Sequence, residues 1–235
     1  PDSIFCDVLE GGTLKPRKGI NLPGMELSLP SLSEKDYEDL DFALTHRVDF
    51  IALSFVRKAS DITELRNYLT GKGFDKNIIA KIEKPEAVRN FDEILEVSDG
   101  IMIARGDLGV ELPPQEVPVI QKSIIRKCNH MGKMVITATQ MLESMIHNAV
   151  PTRAETSDVA NAVWDGSDVV MLSGETSVGE YAIDTVVMMQ AILIETEANM
   201  YLVKNDRVNK PLTVEQTVFD SVGRALASMA EQLRV

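Results

Sequence analysis

Lys81 and Glu83 close the apolar run Ile78-Ile79-Ala80, a cation and an acid on either side of Ile82. Residues two apart on a strand project to one face, so the pair points together into whatever the strand ends line. A second run, Gly100-Ile101-Met102-Ile103, ends in Ala104-Arg105-Gly106-Asp107-Leu108-Gly109-Val110-Glu111, which sets Asp107 in a glycine-flanked turn. A lysine, a glutamate and an aspartate converging from strand ends suit a divalent metal and a phosphorylated anion. Mg²⁺ needs only one or two carboxylates beside waters and substrate oxygens, so Glu83 and Asp107 suffice as ligands. Lys81 would then stabilise charge on a transferring group. On spacing alone, structural capping by the acids and a salt bridge from Lys81 to Glu83 or another acid weigh as much.

Other residues extend the site. Gly106 would let the backbone approach a ligand closely, and its amide beside that of Asp107 offers an anion cradle; a plain glycine turn is the alternative. Thr139 is expected on the strand face of Thr137, its hydroxyl set to hold a carboxylate or relay a proton, although a buried threonine more often satisfies a backbone carbonyl. Ser173 and Glu175 share a face and form a candidate hydrogen-bonded pair behind Thr139. Met141, Met145, Met171, Met188 and Met189 read as core filler. His46, His130 and His147 share no spacing with one another or with an acid and are expected at the surface. No GxxxxGK[ST] and no GxGxxG occur, so phosphoryl chemistry would rest on metal and lysine.

Composition narrows the classes. The 235 residues suffice for one large α/β domain or a domain with appendages, and 44% hydrophobic content supports a sizeable core. A balance of 24 Lys and Arg against 36 Asp and Glu, net −12, argues against a nucleic-acid partner. Cys6 and Cys128 have neither CxxC nor zinc spacing and read as buried or idle thiols of a reducing compartment. No stretch is long and apolar enough to span a bilayer, and Pro1-Asp2-Ser3 opens no signal peptide, so a soluble, cytoplasmic protein without a membrane partner is expected.

Five short apolar runs recur: Phe50 to Phe55, Ile78 to Glu83, Ile101 to Asp107, Val135 to Gln140 and Val169 to Glu175. Near-continuous runs of this length suit parallel strands buried on both faces. Amphipathic helices lie between them. Ser60 is a candidate cap for a helix carrying Ile62, Leu65 and Leu69. Pro85 opens a helix through Val88, Phe91 and Leu95. Val117, Ile120, Ile124, Cys128 and Met131 hold one face of a longer helix, and Thr152 to Glu155 is a capping box before Val159, Ala162 and Val163. Asp99-Gly100 and Asp165-Gly166 supply turns before two strands. A helix from Ser33 through Leu44 precedes the first run.

Strand and helix alternating five times mean a parallel α/β sheet, either a closed (β/α)₈ TIM-type barrel or an open doubly wound sheet. Polar residues at the C-terminal end of every run favour the barrel, whose sites draw on several strands at once. The chain would supply about five of its βα units. Residues 1–24, with Lys15-Pro16-Arg17-Lys18, look like the end of a small β domain; 25–207 form the partial barrel. A break at Asn209-Lys210-Pro211 opens 208–235, where a separate helix aligns Val218, Val222, Leu226 and Met229.

Lys81-Ile82-Glu83, Ala104 to Gly109, Thr137 to Met145, Leu172 to Thr176, Pro151 to Glu155 with Ser157 to Val163, and Gly19 to Gly24 together closely resemble pyruvate kinases. The resemblance covers essentially the whole chain. It implies that Lys81 stabilises the transferring phosphoryl group and that Glu83 and Asp107 bind Mg²⁺ (or Mn²⁺). By the same resemblance the Gly106 and Asp107 amides and the Thr139 hydroxyl cradle the carboxylate of phosphoenolpyruvate or pyruvate, and Lys18 contacts a phosphate of ADP or ATP. In such a reaction the enolate is then protonated at carbon, for which a water held near Thr139 and Ser173 is a candidate donor. A cytoplasmic glycolytic enzyme, a homotetramer when full length, is implied. This chain resembles the last part of the family's lid domain, strands four to eight of its barrel and the first helix of its C-terminal domain. The phosphate-binding arginine and the K⁺ site belong to strands it lacks, so the fragment alone is expected to be inactive. Two other readings stand beside this one: a metal-dependent aldolase or lyase acting through a pyruvate enolate, which needs neither Lys18 nor a nucleotide, and a non-catalytic barrel piece.

Overall fold

The computed structural model describes residues 6–9, 11–13, 30–200 and 218–233. Five strands, β1 (Phe50–Leu53), β2 (Asn77–Ile82), β3 (Gly100–Ala104), β4 (Met134–Ala138) and β5 (Val169–Met171), form one sheet. All neighbours are parallel and lie in strict sequence order, β1-β2-β3-β4-β5. A doubly wound sheet reverses its order at a switch point; this one does not.

The two faces of the sheet are covered differently, as in a barrel. Ile78, Ala80 and Ile82 of β2, Ile101 and Ile103 of β3 and Val135 of β4 pack into one core with helix residues such as Ile62, Leu65, Ile94, Ile124 and Ile125. The alternate residues Ile79, Met102, Ile136 and Ala138 form a second cluster made of strand residues alone, with Met134 and Met171 against it. Helices thus cover one face, and the strands' own side chains fill the other. A doubly wound fold would put helices on both. A third cluster holds Met141, Met145 and Met189 with Val159, Ala162 and Ile192, the packing role expected of the methionines.

Helix boundaries follow the sequence signals with instructive exceptions. Ser33 caps α1 (Glu34–Leu44) in a reciprocal box with Asp36, and Thr152 does the same with Glu155 for α7 (Arg153–Asp165). Gly166, at φ 100, ends α7 in the left-handed conformation that glycine adopts freely. Ser60 is not a cap: it lies inside α2 (Ala59–Gly71), and the buried Asp61 carboxylate accepts the Arg57 and Lys58 amides at 2.9 and 3.2 Å instead. The helix expected from Pro85 breaks at Asn90 into α3 (Pro85–Arg89) and α4 (Phe91–Val97). In α6 (Val117–Met131) the buried face is Gln121, Ile124, Ile125 and Cys128, whereas Met131 is exposed. Burial pushes the Cys128 thiol up to about 12, which keeps it protonated and inert.

Two aspartates fasten the N-terminal edge of the sheet in the same way. Asp99 takes the Ile78 amide on its carboxylate at 2.7 Å while its own amide donates to the Ile78 carbonyl. Asp168 repeats both bonds with Val135. Each aspartate staples the start of its strand to the start of the preceding one, leaving the C-terminal ends for the site. Most of the expected lid segment 1–24 and the 209–211 break lie outside the described residues. Farther on, α10 (Val218–Leu233) presents Val222, Leu226 and Met229 along one exposed face.

Candidate functional site

The strand registers bring the candidate residues to one end of the sheet. Leu53 pairs with Ala80, so Ser54 follows beside Lys81; Ile82 pairs with Ile103, and Ala104 with Ala138. Lys81 and Glu83 do share a face. The Lys81 Nζ lies 2.7 Å from Glu83 Oε1 and donates to Ser54 Oγ at 2.8 Å. The Glu83 side chain is 1% exposed, and its Oε2 accepts the Phe55 amide at 2.5 Å. The carboxylate therefore both orients the ammonium and holds the end of β1, where Phe55 sits at φ 54.

Asp107 does not occupy a turn. Residues 105–111 form a helix, α5 (Arg105–Glu111), that begins directly after β3 and places Asp107 in its first turn. An acid there complements the positive end of the helix. The Asp107 side chain is partly exposed and has no hydrogen-bond partner among the described residues.

Thr139 departs from the expected strand face because β4 ends at Ala138. Thr137 remains in the strand, buried, with its hydroxyl 2.7 Å from that of Ser167. Thr139 turns away at φ 68, and its Oγ1 accepts the Gly106 amide at 2.7 Å and donates to the Ala138 carbonyl at 2.6 Å. The Gly106 amide is thus held by the Thr139 hydroxyl. A Cβ on Gly106 would stand 3.4 Å from Thr139 Oγ1, so the local packing leaves room for the methyl of an alanine.

Ser173 and Glu175 meet through the backbone and not through the serine hydroxyl. The fully buried Glu175 accepts the Ser173 amide at 2.7 Å on one oxygen and the Leu142 amide at 3.1 Å on the other, joining the loops after β4 and β5. It sits in α8 (Gly174–Ser177), the short helix that follows β5. Lys18 lies outside the described residues. The three histidines are exposed, as expected.

Arg105, to which no local spacing assigns a role, is the most extensively bonded side chain at this end of the sheet. Only 9% exposed, it donates to the Thr139 carbonyl and to Asp158 Oδ2, both at 2.6 Å, and reaches the Ala138 carbonyl at 3.3 Å. The signal was a charged residue wedged between a buried strand and a glycine. Glu155 is more than half of a capping box: it also accepts the Ser144 amide at 2.7 Å and the Ser144 hydroxyl at 2.5 Å, pinning the loop after β4 to α7.

The chain's relatives bear on what this arrangement does. The family profile described as "Pyruvate kinase, barrel domain" matches residues 1–186. The chain belongs to the pyruvate kinase family. It is 51% identical over 234 residues to the pyruvate kinase of Geobacillus stearothermophilus and 50% identical over 234 residues to that of Staphylococcus aureus (strain MRSA252). Each match covers 99% of this chain but 40% of the relative, so the chain spans about two fifths of the length of the pyruvate kinases it matches. The matched profile is that of the family's TIM-type barrel, in keeping with the sequential parallel sheet and its strand-filled second face. No helix among the described residues is long and apolar enough to cross a membrane.

Proposed function

We propose that the polypeptide carrying this segment transfers a phosphoryl group from phosphoenolpyruvate to ADP, giving pyruvate and ATP. The observation that carries this reading is the ion pair of Lys81 with the buried Glu83, one strand away from an unpartnered Asp107, in a chain of this family. Two carboxylates at adjoining strand ends fit a hard divalent cation, Mg²⁺ or Mn²⁺, which fills the rest of its shell with water and substrate oxygens. Such an ion, when bound, neutralises charge on the phosphoryl oxygens.

The protein's own residues do the rest. Lys81, braced by Glu83 and Ser54, holds its ammonium against charge developing on the transferring group. The Gly106 and Asp107 amides at the start of α5 receive the carboxylate of phosphoenolpyruvate, which takes the place of the Thr139 hydroxyl on Gly106. The freed hydroxyl donates to the same carboxylate. After transfer the carbon of the enolate is protonated from a water held near Thr139 and Ser173. Lys18 contacts the nucleotide phosphates, K⁺ completes the full-length site, and the enzyme works in the cytoplasm as a homotetramer; family membership supports these four points.

A coupled assay on the full-length protein tests the reading. ATP should form only with phosphoenolpyruvate, ADP and a divalent metal together. Turnover of a pyruvate-enolate substrate with no nucleotide requirement would replace it with the lyase reading.

A further inference from the structure

Thr139 and Gln140 stand at φ 68 and 54, a region that a β-branched residue in particular avoids. Such a residue persists only where its surroundings impose it. Beside the bonds of the Thr139 hydroxyl to the Gly106 amide and the Ala138 carbonyl, one side chain brackets the turn. Arg105 follows Ala104 just as Thr139 follows Ala138 in the paired register of β3 and β4, so the two residues leave the sheet side by side. The guanidinium then clasps the turn on both sides of the strained pair. Nε donates to the Ala138 carbonyl at 3.3 Å; Nη2 donates to the Thr139 carbonyl at 2.6 Å and lies 2.8 Å from Met141 Sδ. Nη1 is anchored from behind by Asp158 Oδ2 of α7 at 2.6 Å and Gln121 Oε1 of α6 at 3.4 Å.

We propose that Arg105 is a positioning residue: its anchored guanidinium imposes the left-handed backbone at Thr139 and thereby presents the Thr139 hydroxyl to the Gly106 amide. Its consequence for turnover rests on the reading of Thr139 and Gly106 as the substrate-carboxylate cradle. A planar fork is required, because the acceptors and anchors lie in several directions around one group. Lysine brings the charge without the fork.

Crystal structures of the full-length Arg105→Met and Arg105→Lys proteins read the proposal directly. Thr139 is expected back at negative φ in both, with its contact to the Gly106 amide lost. In kinetics, kcat/KM for phosphoenolpyruvate should fall about tenfold or more while KM for ADP stays within about twofold, the signature of one misplaced substrate contact. Adding Arg105→Met to Thr139→Ala should cost little beyond Thr139→Ala alone, since both act through one hydroxyl. Thr139 retained near φ 68 in either variant, multiplicative losses in the double variant, or an Arg105→Lys protein that fails to fold would overturn the proposal. A wild-type full-length protein without phosphoenolpyruvate-dependent ATP formation would instead defeat the functional reading, and the backbone at Thr139 in the variants would still decide the role of Arg105.

Discussion

The Nζ of Lys81 stands 2.7 Å from Oε1 of Glu83, and the same carboxylate takes the Phe55 amide on its other oxygen. Glu83 is therefore structural as well as a candidate metal ligand, whereas Asp107 has no such second duty among the described residues. Glu83→Gln and Asp107→Asn in the full-length protein should both weaken Mg²⁺ binding. Only Glu83→Gln should also lower stability, by about 1–3 kcal/mol, because it leaves Lys81 without its counter-charge in a mostly buried site. Calorimetric titration with Mg²⁺ and thermal unfolding check the pair. Unchanged metal affinity in both variants would remove the metal assignment.

Lys81→Met separates two halves of the proposed reaction. It deletes a charge aimed at the transferring phosphoryl group, so transfer should fall by about a hundredfold or more. Exchange of the methyl protons of pyruvate, which needs the metal and a proton donor but no phosphoryl transfer, should largely survive in the full-length variant. Deuterium incorporation followed by NMR distinguishes the outcomes. Equal loss of both activities would make Lys81 the carbon base or a structural residue.

Glu155 supplies a pH test. Burial raises its pKa, but hydrogen bonds from the Ser144 and Thr152 hydroxyls and amides outweigh that and hold the carboxyl below its ordinary 4.5. A depressed folded value means that the unfolded chain takes up the proton first on acidification. The stabilisation is therefore whole above 4.5 and is lost as pH falls through the folded value. Glu155→Gln should cost about 1–2 kcal/mol near neutrality, and its gap from wild type should narrow in acid. Thermal unfolding of both proteins across that range checks this; a gap independent of pH would mean that the charge of the carboxylate contributes nothing.

What the sequence revealed and what it hid divide along physical lines. The central strands β2, β3 and β4 were legible because runs buried on both faces leave few polar interruptions, β1 and β5 because their apolar runs persist at the edges, and the Ser33 and Thr152 caps because capping is local chemistry. The Lys81–Glu83 pairing followed from strand periodicity, which holds while both residues belong to the strand or its first extension. Periodicity failed at Thr139, two residues beyond Thr137, because the chain leaves β4 in between and turns left-handed. It failed at Asp107 because a helix start with two glycines in it reads as a turn. Arg105 was invisible for another reason: its partners come from Ala138, Thr139, Met141, Gln121 and Asp158, and no local spacing announces a contact between residues 53 apart.

The 235 residues alone should not turn over phosphoenolpyruvate. Among the described strands β1 and β5 each have a neighbour on one side only, which leaves unpaired backbone groups along both edges. Phe50 and Val169, at those edges, are 46% and 41% exposed. The long helix after β5, α9 (Ala182–Ala198), buries Met189 and Ile192 but turns Ile183, Val187 and Ile194 outward along one face. Edges and faces of this kind bind one another in solution, so association competes with any native-like state. The site is also partial on the family reading, since the phosphate-binding arginine and the K⁺ ligands are expected from strands that this chain does not supply. Purified, monodisperse 235-residue protein should therefore be inactive in a coupled assay with phosphoenolpyruvate, ADP, Mg²⁺ and K⁺, or should aggregate before it can be assayed. Turnover comparable to that of the full-length protein would show that five strands form a working site, and the placement of catalysis across a closed barrel would have to be abandoned.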